Sequence, residues 1–298
     1  MSEATGAIVV GVDGSDAALR AVRWAAAEAV PRKLRLYLVC ATAPTFGYYG
    51  PGLPVPQSLF DDLEAAQRTW LSAAAKAAHE VSESLAVSTA RVSLPPIPAL
   101  LDIAATARMI VLGASGRGGF TGMLAGSTAV AVAAHARCPV VVVRTRLDGS
   151  VPIRGPVVVG VDGSPTSERA LGAAFDEASW RGAPLVPVHA WSDVDYATEL
   201  TGQHGMIGDE PHAREQRRVL AESLAGWREK YPDVRVDEVV VRDRPRQRLL
   251  DHSASAQLVV VGSRGRGGFT GMLLGSTSQA LVYHAQCPVM IVRPERGE

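Results

Sequence analysis

Two glycine-rich stretches carry the chemistry most visible in this sequence. The first is Gly113-Ala114-Ser115-Gly116-Arg117-Gly118-Gly119, closing on Gly126-Ser127-Thr128. The second is Gly262-Ser263-Arg264-Gly265-Arg266-Gly267-Gly268, closing on Gly275-Ser276-Thr277. Glycine lets the backbone turn its amides toward a ligand with no side chain in the way. Each stretch closes where a helix is expected to start, so free N–H groups and the positive end of a helix dipole face the same space. That arrangement suits an anion. Charge-assisted hydrogen bonds contribute ~1.5–3 kcal/mol each, so a few of them hold a polyphosphate. Arg117 and Arg266 add positive charge, and Ser127, Thr128, Ser276 and Thr277 add hydroxyl donors. For either stretch alone, a plain tight turn is the competing reading.

The two stretches are copies of each other. Gly116–Thr128 (GRGGFTGMLAGST) returns at Gly265–Thr277 (GRGGFTGMLLGST), 149 residues on and identical at 12 of 13 positions. Turn geometry alone does not require Phe120, Met123 and Leu124 to recur as Phe269, Met272 and Leu273. VVGVDGS at Val9–Ser15 returns at Val158–Ser164, and HARCPV at His135–Val140 returns as HAQCPV at His284–Val289, both at the same offset. One constant offset makes the chain two copies of one domain, expected over 1–146 and 156–294, with linker composition across Thr145–Gly155. Within the loops, Ser263-Arg264 replaces Ala114-Ser115, which puts a hydroxyl where the first copy has Ala114 and adds a second cation.

Elements that position these loops read clearly. Apolar β-branched runs predict strands at Ala7–Asp13, Leu34–Ala41, Val87–Val92, Met109–Gly113 and Pro139–Arg144. Helix-favouring composition predicts helices over Asp16–Ala29, Phe60–Ser84, Ala99–Ala107 and Gly126–Ala136. The second copy repeats the order, with Val234–Val241 as its third strand and Arg246–Ala254 as the helix before its fourth. Strands alternating with helices imply an α/β fold with parallel sheets covered on both faces. The copies differ most after their second strands. Ala43–Gln57 is rich in Pro, Gly and Tyr, whereas Ser192–Pro211 is polar and carries Asp193, Asp195 and Glu199. Stretches of this length are expected to be lids or interaction surfaces.

Asp13 and Asp162, behind Gly11 and Gly160, lie at the carboxyl end of the first strand, where open α/β sheets bind ligands. An Asx turn capping the next helix through Ser15 or Ser164 is the alternative, and the two roles are compatible. A Walker loop needs GxxxxGK[ST], and no lysine follows these glycines; a dinucleotide GxGxxG belongs after the first strand, where this chain has GVDGS. Cys138 and Cys287 read as small core residues, and Trp24, Trp70 and Trp227 as packing anchors. No Ser–His–Asp or Cys–His pattern presents itself, and neither glycine stretch carries a general base. Mg²⁺ could ride on phosphate oxygens with help from Asp13 or Asp162.

Composition narrows the classes further. Thirty basic and thirty acidic residues cancel, which argues against nucleic acid or an anionic membrane as partner. Three cysteines form neither a CxxC pair nor an even disulfide framework. With no signal segment or membrane helix in the pattern, a cytoplasmic protein is expected.

The pattern G-x2-G-x9-G-[ST] resembles the nucleotide signature of universal stress proteins. Gly113, Gly116, Gly126 and Ser127 carry it in the first copy, and Gly262, Gly265, Gly275 and Ser276 in the second. The likeness runs over essentially the whole chain and looks like the tandem-domain subclass. It implies two Rossmann-like (adenine nucleotide alpha hydrolase-like) domains, each a five-stranded parallel sheet of order 3-2-1-4-5. It also implies ATP held between the first and fourth strand loops, with adenine gripped by backbone at Cys40-Ala41 and His189-Ala190. Cys40 stands where the family commonly has histidine. On this reading Asp193 borders the second nucleotide, and the protein is a nucleotide-gated regulator with a protein partner, a homodimer being open. A slow ATPase or ATP-dependent transferase, and a nucleotide-free scaffold, are the rival readings.

Overall fold

Apolar runs that are dry on both faces become central strands, and alanine-rich segments become the helices laid across them. The computed structural model describes residues 2–42, 57–116, 125–191, 210–265 and 274–294. It divides into two units, Met1–Val143 and Arg144–Glu298. The first unit runs β1 (Ile8–Gly11), α1 (Asp16–Arg32), β2 (Leu36–Ala41), α2 (Gln57–His79), β3 (Val87–Val92), α3 (Pro96–Ile103), β4 (Met109–Gly113), α4 (Ser127–His135) and β5 (Val140–Val143). Its strands are all parallel, in the order β3-β2-β1-β4-β5.

The second unit repeats this plan. It runs β6 (Val157–Gly160), α5 (Pro165–Arg181), β7 (Leu185–Trp191), α6 (Glu210–Lys230), β8 (Val239–Arg242), α7 (Pro245–Ser253), β9 (Leu258–Gly262), α8 (Ser276–His284) and β10 (Val289–Val292). Its parallel order is β8-β7-β6-β9-β10. Each unit therefore has the 3-2-1-4-5 order that the resemblance implied. Among the described residues, no helix is long and apolar enough to cross a membrane.

Packing explains why the loops are held steady. Ile8, Val9 and Val10 of β1 and Val157, Val158 and Val159 of β6 are fully buried. Ala21, Ala25, Ala26 and Ala29 of α1 are also fully buried, and such small side chains let the helix lie close against the sheet. The second unit uses larger groups. Phe175 of α5 stacks on Trp227 and Tyr231 of α6 at 6.2 and 5.7 Å between ring centroids, inside the range where aromatic pairs attract.

Several boundaries differ from the sequence reading. Helices α3 and α7 begin at Pro96 and Pro245 rather than Ala99 and Arg246. Proline suits a helix's first turn because its missing N–H would lack an intrahelical partner anyway. The strand expected from Val234 begins at Val239. Before it, Val236 makes only an isolated bridge to Leu185, whose backbone bonds the Arg235 carbonyl and the Asp237 N–H. Helix α2 ends at His79 rather than Ser84, because Val81 and Leu85 close turns onto the Ala78 and Ser82 carbonyls.

Helix α1 ends on Lys33 at φ 53°, while its counterpart α5 ends on Gly182 at φ 55°. A left-handed residue with a Cβ is strained by about 1–2 kcal/mol, and glycine is not. Lys33→Gly should therefore raise the first unit's unfolding free energy by about 0.5–1 kcal/mol, after allowing for glycine's freer unfolded chain. Gly182→Lys should lower the second unit's. Urea titrations of both variants measure this, and an unchanged midpoint for both would contradict the capping account.

Candidate functional site

Each site starts from one aspartate with two tasks. Asp13 Oδ1 accepts from the Ser15 N–H at 3.0 Å and the Ser15 hydroxyl at 2.6 Å. The Ser15 hydroxyl oxygen in turn accepts from the Ala18 N–H at 3.1 Å, capping α1. In the second unit Asp162 Oδ1 accepts from Ser164 N–H at 2.9 Å, and Ser164 Oγ accepts from Ser167 N–H at 3.2 Å. The structural role is thus real, and it occupies one carboxylate oxygen. The other oxygen faces the glycine loop: a Cβ placed on Gly116 would stand 2.6 Å from Asp13 Oδ2. On Gly265 a Cβ would collide with Asp162 Oδ2 in the same way. Only glycine admits so close an approach, which explains why this position in each loop carries no side chain.

Around Asp13 lies a cavity of about 440 Å³, within the range of small-molecule sites. Gly11, Ala41 and Gly113 line its floor at the carboxyl ends of β1, β2 and β4. Ser115, Gly116, Gly126, Ser127 and Thr128 line the glycine-loop side. Helix α4 starts there, with Gly126 as its N-cap and no side-chain cap, so its first N–H groups are available to an anion. In the second unit Gly160, Asp162, Ala190, Gly262, Gly265, Gly275, Ser276 and Thr277 occupy the equivalent positions, 149 residues on. Arg117, Gly118, Gly119, Arg266, Gly267, Gly268 and Asp193 lie outside the described residues, as does nearly all of the two lid stretches.

Two of the expected site residues also do structural work. The Ala114 backbone acts as a fastener, accepting from Gly126 N–H at 2.7 Å. Its counterpart Ser263 is fully buried, and its hydroxyl has no hydrogen-bond partner among the described residues. The Ser263 carbonyl instead accepts from Gly275 N–H at 2.8 Å and from the Ser278 hydroxyl at 3.0 Å. Trp70, read as a packing anchor, lines the cavity together with Thr42, Pro96 and Leu100. Its ring also lies against Gly14, where a Cβ would stand 2.5 Å away. Nothing local in the sequence marks Trp70 or Thr42; the one available signal is that the repeat replaces them with Val219 and Trp191.

Where the family resemblance places the adenine, the units diverge. His189 is buried, with Nδ1 2.8 Å from the Val161 carbonyl and Nε2 2.7 Å from the Gln216 amide. A carbonyl only accepts, so Nδ1 carries the proton. Nε2 lies against the Gln216 amide oxygen, so the buried ring is held from both sides. In the first unit Cys40 takes the histidine's place, and Gln67 donates to the Thr42 hydroxyl instead. Burial first, and then the Asp13 charge, push the Cys40 thiol up to about 11. Burial raises Cys138 and Cys287 to about 12, as suits core thiols. Among the described residues no cluster of three or more His, Cys, Asp or Glu could hold a metal ion.

Comparison with known proteins identifies the family. The model of the universal stress protein family matches residues 5–144 and again residues 154–293. This chain belongs to the universal stress protein family. Universal stress protein Rv2005c of Mycobacterium tuberculosis is 44% identical over 292 residues, covering 96% of each chain. Universal stress protein Rv2623 of the same organism is 42% identical over 293 residues, again covering 96% of each. The crystal structure of a universal stress protein from Archaeoglobus fulgidus superposes with a TM-score of 0.70 at 18% identity, covering 98% of each chain, a likeness of fold.

The raised thiols have a consequence for stability. Unfolded, each cysteine titrates near ~8.5. Above that pH the unfolded chain sheds protons that the folded chain keeps, so the thiols' contribution is intact below pH ~8.5 and is lost as pH rises toward 11. Native protein at about pH 8 should leave all three cysteines unlabelled by iodoacetamide, and urea-unfolded protein should label all three. Rapid labelling of native Cys40 would contradict its burial.

Proposed function

We propose that each unit of this universal stress protein holds one adenine nucleotide, ATP in particular, and that occupancy regulates a partner protein. The observation that carries this reading is the doubled close approach of an aspartate oxygen to a glycine, beside a helix N-terminus without a side-chain cap. The bare backbone at Gly116 and Gly265 leaves room for phosphate oxygens, and Ser127, Thr128, Ser276 and Thr277 supply hydroxyls at the helix starts. Asp13 and Asp162, each with one oxygen turned to that loop, are the residues that would help to hold Mg²⁺ on a nucleotide. The ion would supply charge neutralisation between phosphates.

A regulator rather than an enzyme is supported by what surrounds the ligand. Among the described residues lining the first cavity, Asp13 is the one titratable side chain, and its Oδ1 is committed to the Ser15 turn. A general base for water needs a free, positioned acceptor, and the remaining oxygen, Oδ2, is the one that would serve Mg²⁺. The nucleotide-bound cleft would then act by presenting its bordering segments to a partner. A cytoplasmic setting fits a cellular nucleotide as ligand.

Gly116→Val and Gly265→Val should each remove one of two calorimetrically titrated ATP sites, and the double variant should remove both, by filling the space where backbone meets phosphate. Mass spectrometry of ligand released from the purified, denatured wild-type chain should find adenine nucleotide. Steady phosphate release at negligible rate is expected. Undiminished binding in the double variant refutes the placement, and sustained turnover refutes the regulator.

A further inference from the structure

The two clefts share a backbone and differ in their rims. From the end of β3 into the first turn of α3 the first unit has Ser93-Leu94-Pro95-Pro96-Ile97-Pro98-Ala99, which carries no charge. The matching segment of the second unit is Arg242-Asp243-Arg244-Pro245-Arg246-Gln247-Arg248. Its place beside the cleft is set by two contacts. The Asp243 N–H donates to the carbonyl of Trp191, the counterpart of cavity-lining Thr42, at 3.0 Å. A Cβ on Gly160 would meet Leu249 at 3.0 Å, just as one on Gly11 would meet cavity-lining Leu100 at 3.6 Å.

Not every charge on this rim is available. Arg248 pairs with Asp243 at 2.7 Å and stands 3.9 Å from Asp251. Arg242 lies over the Trp191 ring, 5.8 Å from its centroid. Arg244 and Arg246 are exposed and have no ion pair among the described residues. On the opposite side Arg264 replaces Ser115, which lines the first cavity. Burial and the charge of Arg264 together lower the pKa of Arg293 at the end of β10, so positive charge accumulates on that side as well. Among the described residues Asp162, facing Gly265, and Asp243, paired with Arg248, are acidic groups set against these cations. In the first cleft the distinguishing group is a ring: Trp70, where the second unit has Val219.

We propose that the clefts divide nucleotides by charge. The first holds the base of a nucleoside or nucleotide through Trp70 and a neutral, apolar rim. The second selects highly phosphorylated nucleotides through Arg244, Arg246 and Arg264. Exposed cations at a cleft mouth gather polyanions through a field that salt shortens to about 10 Å at 0.1 M. Contact between a base and an indole face depends little on salt and not at all on phosphate number. This rests on the nucleotide reading above, and its test separates the two.

The Gly265→Val chain leaves the first cleft, and the Gly116→Val chain leaves the second. Each is titrated calorimetrically with adenosine, AMP and ATP at about 50 and about 300 mM NaCl, which span weak and strong screening. The ATP-to-adenosine affinity ratio should be about tenfold larger in the second cleft than in the first, and should shrink there with salt. The triple change Arg244→Gln, Arg246→Gln and Arg264→Ser, made in the Gly116→Val chain, should bring that ratio down to the first cleft's value with adenosine affinity unchanged. Trp70→Val, made in the Gly265→Val chain, should weaken all three ligands about tenfold. Equal ratios and equal salt dependence in the two clefts overturn the division by charge, as does a Trp70→Val chain that binds all three undiminished. A wild-type chain that binds none of the ligands overturns the nucleotide reading itself.

Discussion

Both clefts depend on one contact, the carboxylate of the first strand set against a glycine after the fourth. The contact exists because β1 is paired with β2 on one side and β4 on the other. Chains leaving neighbouring strands toward opposite faces of the sheet part at that point and open a crevice at the strands' carboxyl ends. Asp13 and Asp162 stand at its edge, and the Ser15 and Ser164 turns fix their orientation. With one oxygen held in the turn, the other lies close to the loop after β4 or β9. A side chain on the facing residue would push that loop away, and the start of the following helix with it. Gly126 and Gly275 are tied back to the carbonyls of Ala114 and Ser263, which fastens each helix start to the end of the fourth strand of its unit.

That coupling explains which parts of the site were legible in the sequence. The glycines and the aspartate are dictated by local geometry, so they recur at a constant offset and can be read without a structure. Parallel strands followed from the alternation of elements, and their order in each unit from the family resemblance alone. The burial of Ser263 was not legible, because polarity carries no direction. The residue follows directly on β9 and packs beneath the N-terminus of α8, where Ser278 bonds its carbonyl. Trp70 and Thr42 were hidden for a different reason. They reach the cavity from α2 and from the end of β2, and only the packing of α2 against β2 brings them together. The late start of β8 was equally hidden, since β-branched composition continues through Val234 and Val236 while pairing with β7 does not.

A second asymmetry grows from a single buried position. A histidine in a dry core needs partners on both ring nitrogens, because an unmet buried polar atom costs about 1–3 kcal/mol. His189 finds them in the Val161 carbonyl and the Gln216 amide. Cys40, at the same place in the first unit, makes no such demand, since a buried thiol behaves as a small apolar group. The glutamine of α2 is then released, and Gln67 turns to the Thr42 hydroxyl at the cavity wall.

The consequence reaches the cleft surface. In the first unit the end of β2 presents a hydroxyl already engaged by an amide, beside the Trp70 ring. In the second unit the amide is withdrawn into the core, and the rim position passes to Trp191, covered by the Arg242 guanidinium. A cation over an indole face holds the ring flat and brings charge to the mouth at once. One exchange of histidine for cysteine beneath the floor thus goes with a different set of groups at the β2 end of the cleft, while the glycine-loop end keeps its aspartate, glycine and helix start. The close approach of the aspartate constrains that end to glycine in both units, whereas the β2 end is built from side chains that can trade partners without moving a strand. Divergence between the halves is accordingly concentrated where side chains, not backbone, meet the ligand space.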